Sequence, residues 1–498
     1  MLKCNYNKDI RTRIPLILIM TAIFIILFCL PVSADAADNT GLYVHQPSQE
    51  QIREYVRNHP VDFESKDWMS YDADKPTTDA SWYDVGAQGI LSNRTQQNAL
   101  ACLNNIRYIT GLDPVKITDS EYLRNITQAG AFCNAVIGKS LTHKPSQPSS
   151  FSDSLYKISY AGASSSNLAL GETNLPQAIF SWIYDTDTTN IAEVGHRRWA
   201  LNPAMAETAF GSAKAYRSMY AFNRSNNTGI SGGVAWPASN TSLEYLGSSG
   251  NLAWSYSYGK HLDRSNVSVV LTQLDRSSRR ELNRWTFNED TSSNVNSEKY
   301  FNVDNSNIGL TGCVIFRPDG IDSFRVGDLY HVTIRNGSDF IADYDVRIFA
   351  LKPLEKLCIH SHSSIPVGGN ATVGVDLEPA DTMDRFYSAE TSDDSIITVI
   401  HDPYFPRYFE VYARKPGTAT VTLRAENGVT ARTTVTVFDN EIEIPYSKNF
   451  QYDGNSHSPI TDSDLYVKSS RFPYADDTIS ATAPGTYSVH IMPKDGYK

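Results

Sequence analysis

Three short stretches collect residue types able to carry protons or bind a metal ion: LTHKP with His143, WIYD with Asp185, and VGHRRWALNP with His196. Two imidazoles and a carboxylate are ordinary ligands for a divalent ion such as zinc. The same three groups can instead act as a base and the acid that orients it. Trp182 and Asp185 stand three residues apart, which places them on one face of a helix. A structural reading is equally concrete. Arg197 and Arg198 can pair with Asp185, Asp187 or Glu193, while Trp199 and Leu201 pack beneath and Pro203 ends the segment. His196 then donates to a backbone carbonyl or to Asp185 and braces a helix-to-strand crossing. Spacing alone does not choose between these readings.

The elements that must position these residues are readable from period and punctuation. SQEQ, residues 48–51, is a capping box opening a short helix through Ile52, Tyr55 and Val56. Leu100, Leu103, Ile106 and Ile109 recur at helical spacing, and Gly111 stops the run. Thr118 and Glu121 form a second capping box before a helix carrying Tyr122, Leu123, Ile126, Ala129 and Cys133, with Gly138 at its end. Residues 146–166 read as a loop rich in Ser and Pro, broken only by SLYKISY. Pro176, at a first helical position, opens a third helix with Ile179, Trp182 and Ile183. Past Pro203 the period changes to strand: AFGSA, SMYAF and GGVAWP, then AWSYSY, VSVVLTQL, GCVIF, DLYHVTI and DVRIFAL. Residues 365–438 alternate apolar and polar between regularly spaced turns, a sandwich pattern.

The chain has 498 residues and a formal net charge of −11. Lys3, Lys8, Arg11 and Arg13, the apolar run from Ile14 to Leu30, and the A-x-A pattern at Ala34 and Ala36 make residues 1–36 a secretory signal peptide. That leader holds four basic and two acidic residues, so its removal takes the charge from −11 to −13. Such acidity argues against a nucleic-acid binder and against a polybasic membrane patch. After signal cleavage no membrane span is expected. Export permits disulfides. Cys102–Cys133 and Cys313–Cys358 are the simplest pairs, with buried free thiols as the other option. His360 and His362 in CIHSHSS read as an exposed strand pair rather than a metal site.

Residues 91–235 resemble the CAP superfamily, also called SCP or cysteine-rich secretory protein domains, in a bacterial form. The likeness lies in NALACLNNIRYITGL, LTHKP, SSNLAL, the helix ending W-x-x-acid, GHRRWALNP and TAFGSA. It implies an α-β-α sandwich whose cleft is lined by two histidines and two acids. Carried over, the histidines are His143 and His196, one acid is Asp185, and the other falls on Ser166. Glu172 in GETN offers a substitute ten residues before Trp182. A set lacking one carboxylate holds a metal less well, because a hydroxyl supplies no anionic ligand. Residues 236–352 look like the β companion domain of this CAP type, and 353–439 resemble a bacterial Ig-like group 2 domain through IPVGGNATV, SDDSIITVI, KPGTATVTL and TARTTVTVF. Residues 440–498, with FQYDGN and APGTYSVHI, resemble the YDG-containing β repeats of Gram-positive surface proteins and read as an incomplete repeat. Residues 37–90 form an N-terminal extension.

The expectation is a multidomain chain, an α-β-α sandwich followed by all-β sandwich and Ig-like modules, secreted or held at the cell surface for binding or adhesion. Its cleft binds an extracellular or cell-envelope ligand rather than cleaving one. The first alternative is a metal-assisted hydrolase using His143, Asp185 and His196, with Zn2+ on the two histidines. The second is a purely structural surface protein, in which the two histidines stand apart or are buried and satisfied by backbone.

Overall fold

The computed structural model describes residues 46–66, 71, 75–77, 79–226, 232–360, 364–402, 406–439, 449–457, 466–468, 481–487 and 491–493. The leader, His362 and most of the 440–498 stretch lie outside them. Two compact units are present: Met1–Phe324 with Asp328–Ile348, and Arg325–Gly327 with Phe349–Lys498. Among the described residues strands predominate, and α-helices are confined to residues 49–246.

In the first unit Ser48 caps helix α1 (Gln49–Asn58) through the expected reciprocal box with Gln51. Helix α2 spans Asn93–Ile109, and Ser92 caps it by accepting from the Thr95 amide. Its end is a Schellman turn: Gly111, at φ +75°, donates to Tyr108 O, and Leu112 N donates to Arg107 O at 2.8 Å. Strand β1 (Lys116–Ile117) pairs in parallel with β3 (Glu207–Thr208). That pairing overturns the second capping box. Thr118 N donates to Thr208 O in this ladder, and the cap of helix α3 (Glu121–Ile137) falls to Ser120.

The stretch read as a loop holds a full helix, α4 (Asp153–Ser164), capped by Ser152. Serine and glycine are poor helix formers in isolation, so propensity gives little sign of it. What makes the helix is a partner. A Cβ on Gly162 would lie 1.7 Å from Ile126 O, and one on Gly130 2.7 Å from Ala163 N, so α3 and α4 meet backbone to backbone. Strand β2 (Ser166–Leu170) follows, then α5 (Leu175–Tyr184), α6 (Gly195–Ala200), β4 (Phe210–Ala213) and β5 (Tyr216–Tyr220). The antiparallel order β2-β5-β4 forms a small sheet flanked by α3.

The same unit continues as β6 (Val234–Trp236), β7 (Asn240–Ser242), β8 (Trp254–Ser257), β9 (Val267–Leu274), β10 (Glu281–Phe287), β11 (Tyr300–Asp304), β12 (Cys313–Arg317), β13 (Leu329–Asn336) and β14 (Asp339–Phe349). They make two sheets, ordered β10-β9-β13-β14-β7 and β11-β12-β8-β6. Trp254 of one sheet meets Tyr330 of the other edge-to-face, ring centroids 5.4 Å apart, in a shared core. Ile191 and Val194, just before α6, are buried in one cluster with Ala253, Tyr300, Cys313 and Ile315. The helical part therefore docks on this sandwich through a common apolar core.

The second unit is a β-sandwich of two four-stranded sheets. Asn370–Glu378 alternates outward and inward residues, and Val373, Val375, Phe409, Val411, Val421, Leu423 and Val435 fill the space between the sheets. Tyr466–Lys468 pairs antiparallel with Ile491–Pro493.

All four described cysteines are free thiols, which corrects the expected disulfides. Cys102 points at Pro176 O (3.8 Å), Cys313 accepts from the Ser257 hydroxyl (3.5 Å), and Cys358 meets Glu378 Oε1 (3.2 Å). Those three sulfurs have a local polar neighbour in place of a second sulfur, and Cys133 is buried in an apolar cluster with Phe132, Phe151 and Leu155. No helix among the described residues is long and apolar enough to cross a membrane.

Candidate functional site

Asp185 is not within a helix face as its spacing from Trp182 suggests. It is the C-cap of α5, in the left-handed region at φ +43°, and is almost wholly buried. Trp182 instead points inward, its indole donating to Leu168 O at 2.9 Å. The left-handed turn throws the Asp185 carboxylate onto the N-terminus of α6. There Oδ2 accepts from the His196 amide (2.9 Å) and the Arg197 amide (3.3 Å). Val194, the N-cap of α6, has no capping side chain, so Asp185 supplies the acceptor from outside the helix. Val194 is itself at φ +42°, an outlier for a β-branched residue, so two strained backbones bracket the carboxylate.

The other carboxylate oxygen, Oδ1, holds His196 Nδ1 at 2.9 Å. His143 is placed by α4: its Nδ1 lies 2.9 Å from Ala163 O. The two imidazoles face one another, ring centroids 6.2 Å apart and planes 28° off parallel. Each Nδ1 is thus tied to an acceptor, which sets it as the N–H side. Each Nε2 has no hydrogen-bond partner among the described residues. His143 keeps part of its side chain open to solvent while its Nδ1 side is partly buried against Ala163, and His196 is partly buried. Burial lowers the His143 pKa below the ordinary imidazole value, against the raising effect of Ala163 O, and the nearby His196 charge lowers it further. At His196 burial pulls the same way, but the Asp185 hydrogen bond and the charges of Asp185 and Asp187 outweigh it, so its pKa is raised. The pair therefore titrates apart, one imidazole neutral where the other is cationic.

The neighbouring arginines do not pair as the sequence suggested. Arg197 and Arg198 turn inward, away from the face carrying His196. Arg197 donates to the last carbonyls of α5, Ile183 O (2.6 Å) and Tyr184 O (2.5 Å), and to Ala253 O (2.8 Å) and Ser255 Oγ (3.0 Å) on the sandwich. Burial lowers its pKa to about 10. Arg198 pairs with Asp304 (2.5 Å) and donates to Ser306 O and Leu310 O. Its link to Glu193 runs to the backbone carbonyl, not the carboxylate.

Ser166, at the position of the missing acid, opens β2; its hydroxyl is buried with no hydrogen-bond partner among the described residues. Its neighbour Asn167 donates to His196 O at 2.8 Å. Glu172 does not replace it. That carboxylate accepts from Ser181 and lines a separate groove of about 450 Å³ with Lys75, Lys214 and Arg217. A zinc ion would therefore find two open imidazole nitrogens, a spent Asp185 and a hydroxyl. No group of three His, Cys, Asp or Glu able to hold a metal occurs among the described residues. The donor set does not fit a resident metal. In the second unit His360 is held by Asp376 (2.8 Å).

One aromatic pair near α6 has a role that residue spacing does not show. Trp199, expected to pack beneath, is only partly buried and packs on Phe222 at a tilt of 41°, ring centroids 4.7 Å apart. Phe222 is 46% exposed. The signal lay in AFNRSN, where an aromatic beside an arginine ends a strand run.

No protein-family model matches the chain, and no curated protein matches it. Among solved structures, domains 4 and 5 of the S-layer protein SbsC align at 15% identity over 32% of this chain and 87% of that one, with a TM-score of 0.16. Domains 4–9 of the same S-layer protein align at 14% identity over 45% of this chain and 38% of that one, also at 0.16. Likeness at that level carries no argument about fold or role.

Proposed function

We propose that this chain is an exported, modular surface protein whose 91–235 segment is a CAP-type domain offering a His/Asp-lined binding cleft, with the Ig-like sandwich as its spacer. The observation that carries the reading is the histidine pair: two facing imidazoles, each anchored through Nδ1, each with Nε2 left to meet a ligand. Arrangements of this kind are built by second-contact groups such as Ala163 O and the Asp185 carboxylate, which fix tautomer and ring orientation. The purely structural alternative accounts for Arg197 and Arg198 but not for two facing imidazoles whose Nε2 atoms have no partner among the described residues. The metal-assisted hydrolase needs a third ligand that the site does not supply.

The test is a histidine NMR titration of the intact protein alongside zinc calorimetry. His196 is expected to titrate above the ordinary imidazole range and His143 below it, with His196→Ala raising the His143 pKa. Uncoupled titrations would mean the cleft is not assembled. Zinc is expected to bind no tighter than surface histidines do. Micromolar zinc binding lost in both His143→Ala and His196→Ala would replace the binding reading with the hydrolase.

A further inference from the structure

We propose that the cleft takes a neutral saccharide, its apolar ring face laid against Phe222 and Trp199 and its hydroxyl or acetamido groups bonded to Nε2 of His143 and His196. The inference rests on the binding reading above and adds the chemical class of the ligand.

The first support is placement. Trp199 follows His196 by three residues on α6, so both side chains share one helix face, opposite the inward Arg197 and Arg198. Phe222 arrives from the other side. Strand β5 pairs Tyr220 with Ser166, and Ala221 N donates to Ser165 O at 2.9 Å. One residue further along, Phe222 comes beside the end of α4, where Ala163 O holds His143. The contacts of His143, of His196 and of the strand end leading to Phe222 thus all fall on one short segment, residues 163–167, and Trp199 packs on Phe222. The second support is the aromatic pair itself. A 46% exposed phenyl ring packed at a 41° tilt on a partly buried indole is apolar surface that the fold leaves open. Arg224 lies over the indole, 5.3 Å from the ring centroid, and holds it in place while donating to Asn307 O (3.4 Å).

The third support is charge and hydrogen-bond sense. The Asp185 carboxylate sits against His196 and offsets its positive charge, so the dyad presents little net charge to a ligand. In the pH interval between their two titrations the Nε2 atoms offer one acceptor, on His143, and one donor, on His196. A hydroxyl both gives and takes a hydrogen bond, and an acetamido group carries one N–H and one C=O, so either satisfies the pair. A carboxylate or phosphate leaves the acceptor nitrogen unpaired, and an ammonium leaves the donor unpaired. Apolar surface beside a few converging polar groups is the usual make-up of a small-ligand site, and a pyranose ring supplies the matching apolar face and polar rim.

The intact protein is titrated with chitotriose and with cellotriose, following the histidine ring and tryptophan indole NMR signals. Saturable binding of at least one sugar is expected, with shifts at His143, His196 and Trp199. Tighter binding of chitotriose assigns the acetamido group as the recognised element; equal binding assigns the hydroxyls. Phe222→Ser is expected to weaken binding about tenfold while lowering the thermal midpoint by no more than a few degrees, because about half of the ring is open to solvent. His143→Gln, which keeps a polar side chain, is expected to weaken it similarly. No binding of either sugar up to about 10 mM, or binding indifferent to Phe222→Ser and His143→Gln, overturns the proposal. If the histidines titrate as a coupled pair and no sugar binds, only the ligand class falls; if they titrate independently, the cleft reading falls with it.

Discussion

Gly162→Ala is the substitution that most directly tests how α4 holds the site. Replacing a helical glycine by alanine ordinarily stabilises a helix by about 1 kcal/mol. Here the new methyl would stand 1.7 Å from Ile126 O and 2.5 Å from its carbonyl carbon. Reaching even a 3.0 Å contact requires α3 and α4 to part by about 1.3 Å. Both clashing groups are backbone, so no rotamer change relieves them. Overpacking of side chains costs about 1–3 kcal/mol, and a backbone clash belongs at or above the top of that range. The net loss is then about 2 kcal/mol or more, equivalent to a midpoint drop of about 4 °C or more for a unit of this size. The same displacement pulls Ala163 O away from His143 Nδ1, now 2.9 Å distant, and removes the one contact that raises the His143 pKa. Urea and thermal unfolding measure the first effect, and histidine NMR measures the second as a further fall in the His143 pKa. An unchanged or higher midpoint with His143 titrating as in the parent would refute the backbone contact and the placement of the site that depends on it.

Arg197→Met is expected to cost about 3–5 kcal/mol in urea unfolding, because it leaves Ile183, Tyr184 and Ala253 carbonyls buried without their donor; Arg197→Lys, with fewer donors, should recover only part of it. Asp185→Asn should lower the His196 pKa. In the parent, the raised His196 pKa contributes stability that is complete below pH 6.5 and lost as pH rises through the folded value; urea midpoints across that interval should flatten in the variant. His143 works in the opposite sense, since its lowered pKa gives stability present above pH 6.5 and lost as pH falls, so His143→Gln should improve relative stability on the acid side. Alkylation without reductant, read by mass spectrometry, should label Cys358 in the native protein and Cys102, Cys133 and Cys313 only after unfolding, since burial pushes the Cys133 thiol up to about 12 and raises the other two. Any disulfide-linked peptide among these four would contradict it.

Local chemistry was legible from the residues themselves. The box at Ser48 and Gln51, the glycine stop at Gly111 and the β alternation beyond Pro203 depend on neighbours in sequence, and each is formed as spacing suggests. The His143, Asp185 and His196 candidates were also visible as residue types. Three things were not. Helix α4 has weak intrinsic propensity and exists because glycines at 130 and 162 admit a backbone-to-backbone contact with α3. Thr118 lost its capping role because a strand partner from residue 208 claimed its amide. Asp185 left the helix face because a left-handed turn made it the cap of a different helix. In each case the deciding partner lies far along the chain, or past a turn whose backbone conformation the residue type alone does not dictate. The sequence by itself determined which groups are available and where most regular elements begin and end. Tertiary structure alone decided that His143 and His196 face one another, that Asp185 is spent on holding one of them, and that Trp199 meets Phe222, because hydrogen bonds and packing between distant segments set those distances.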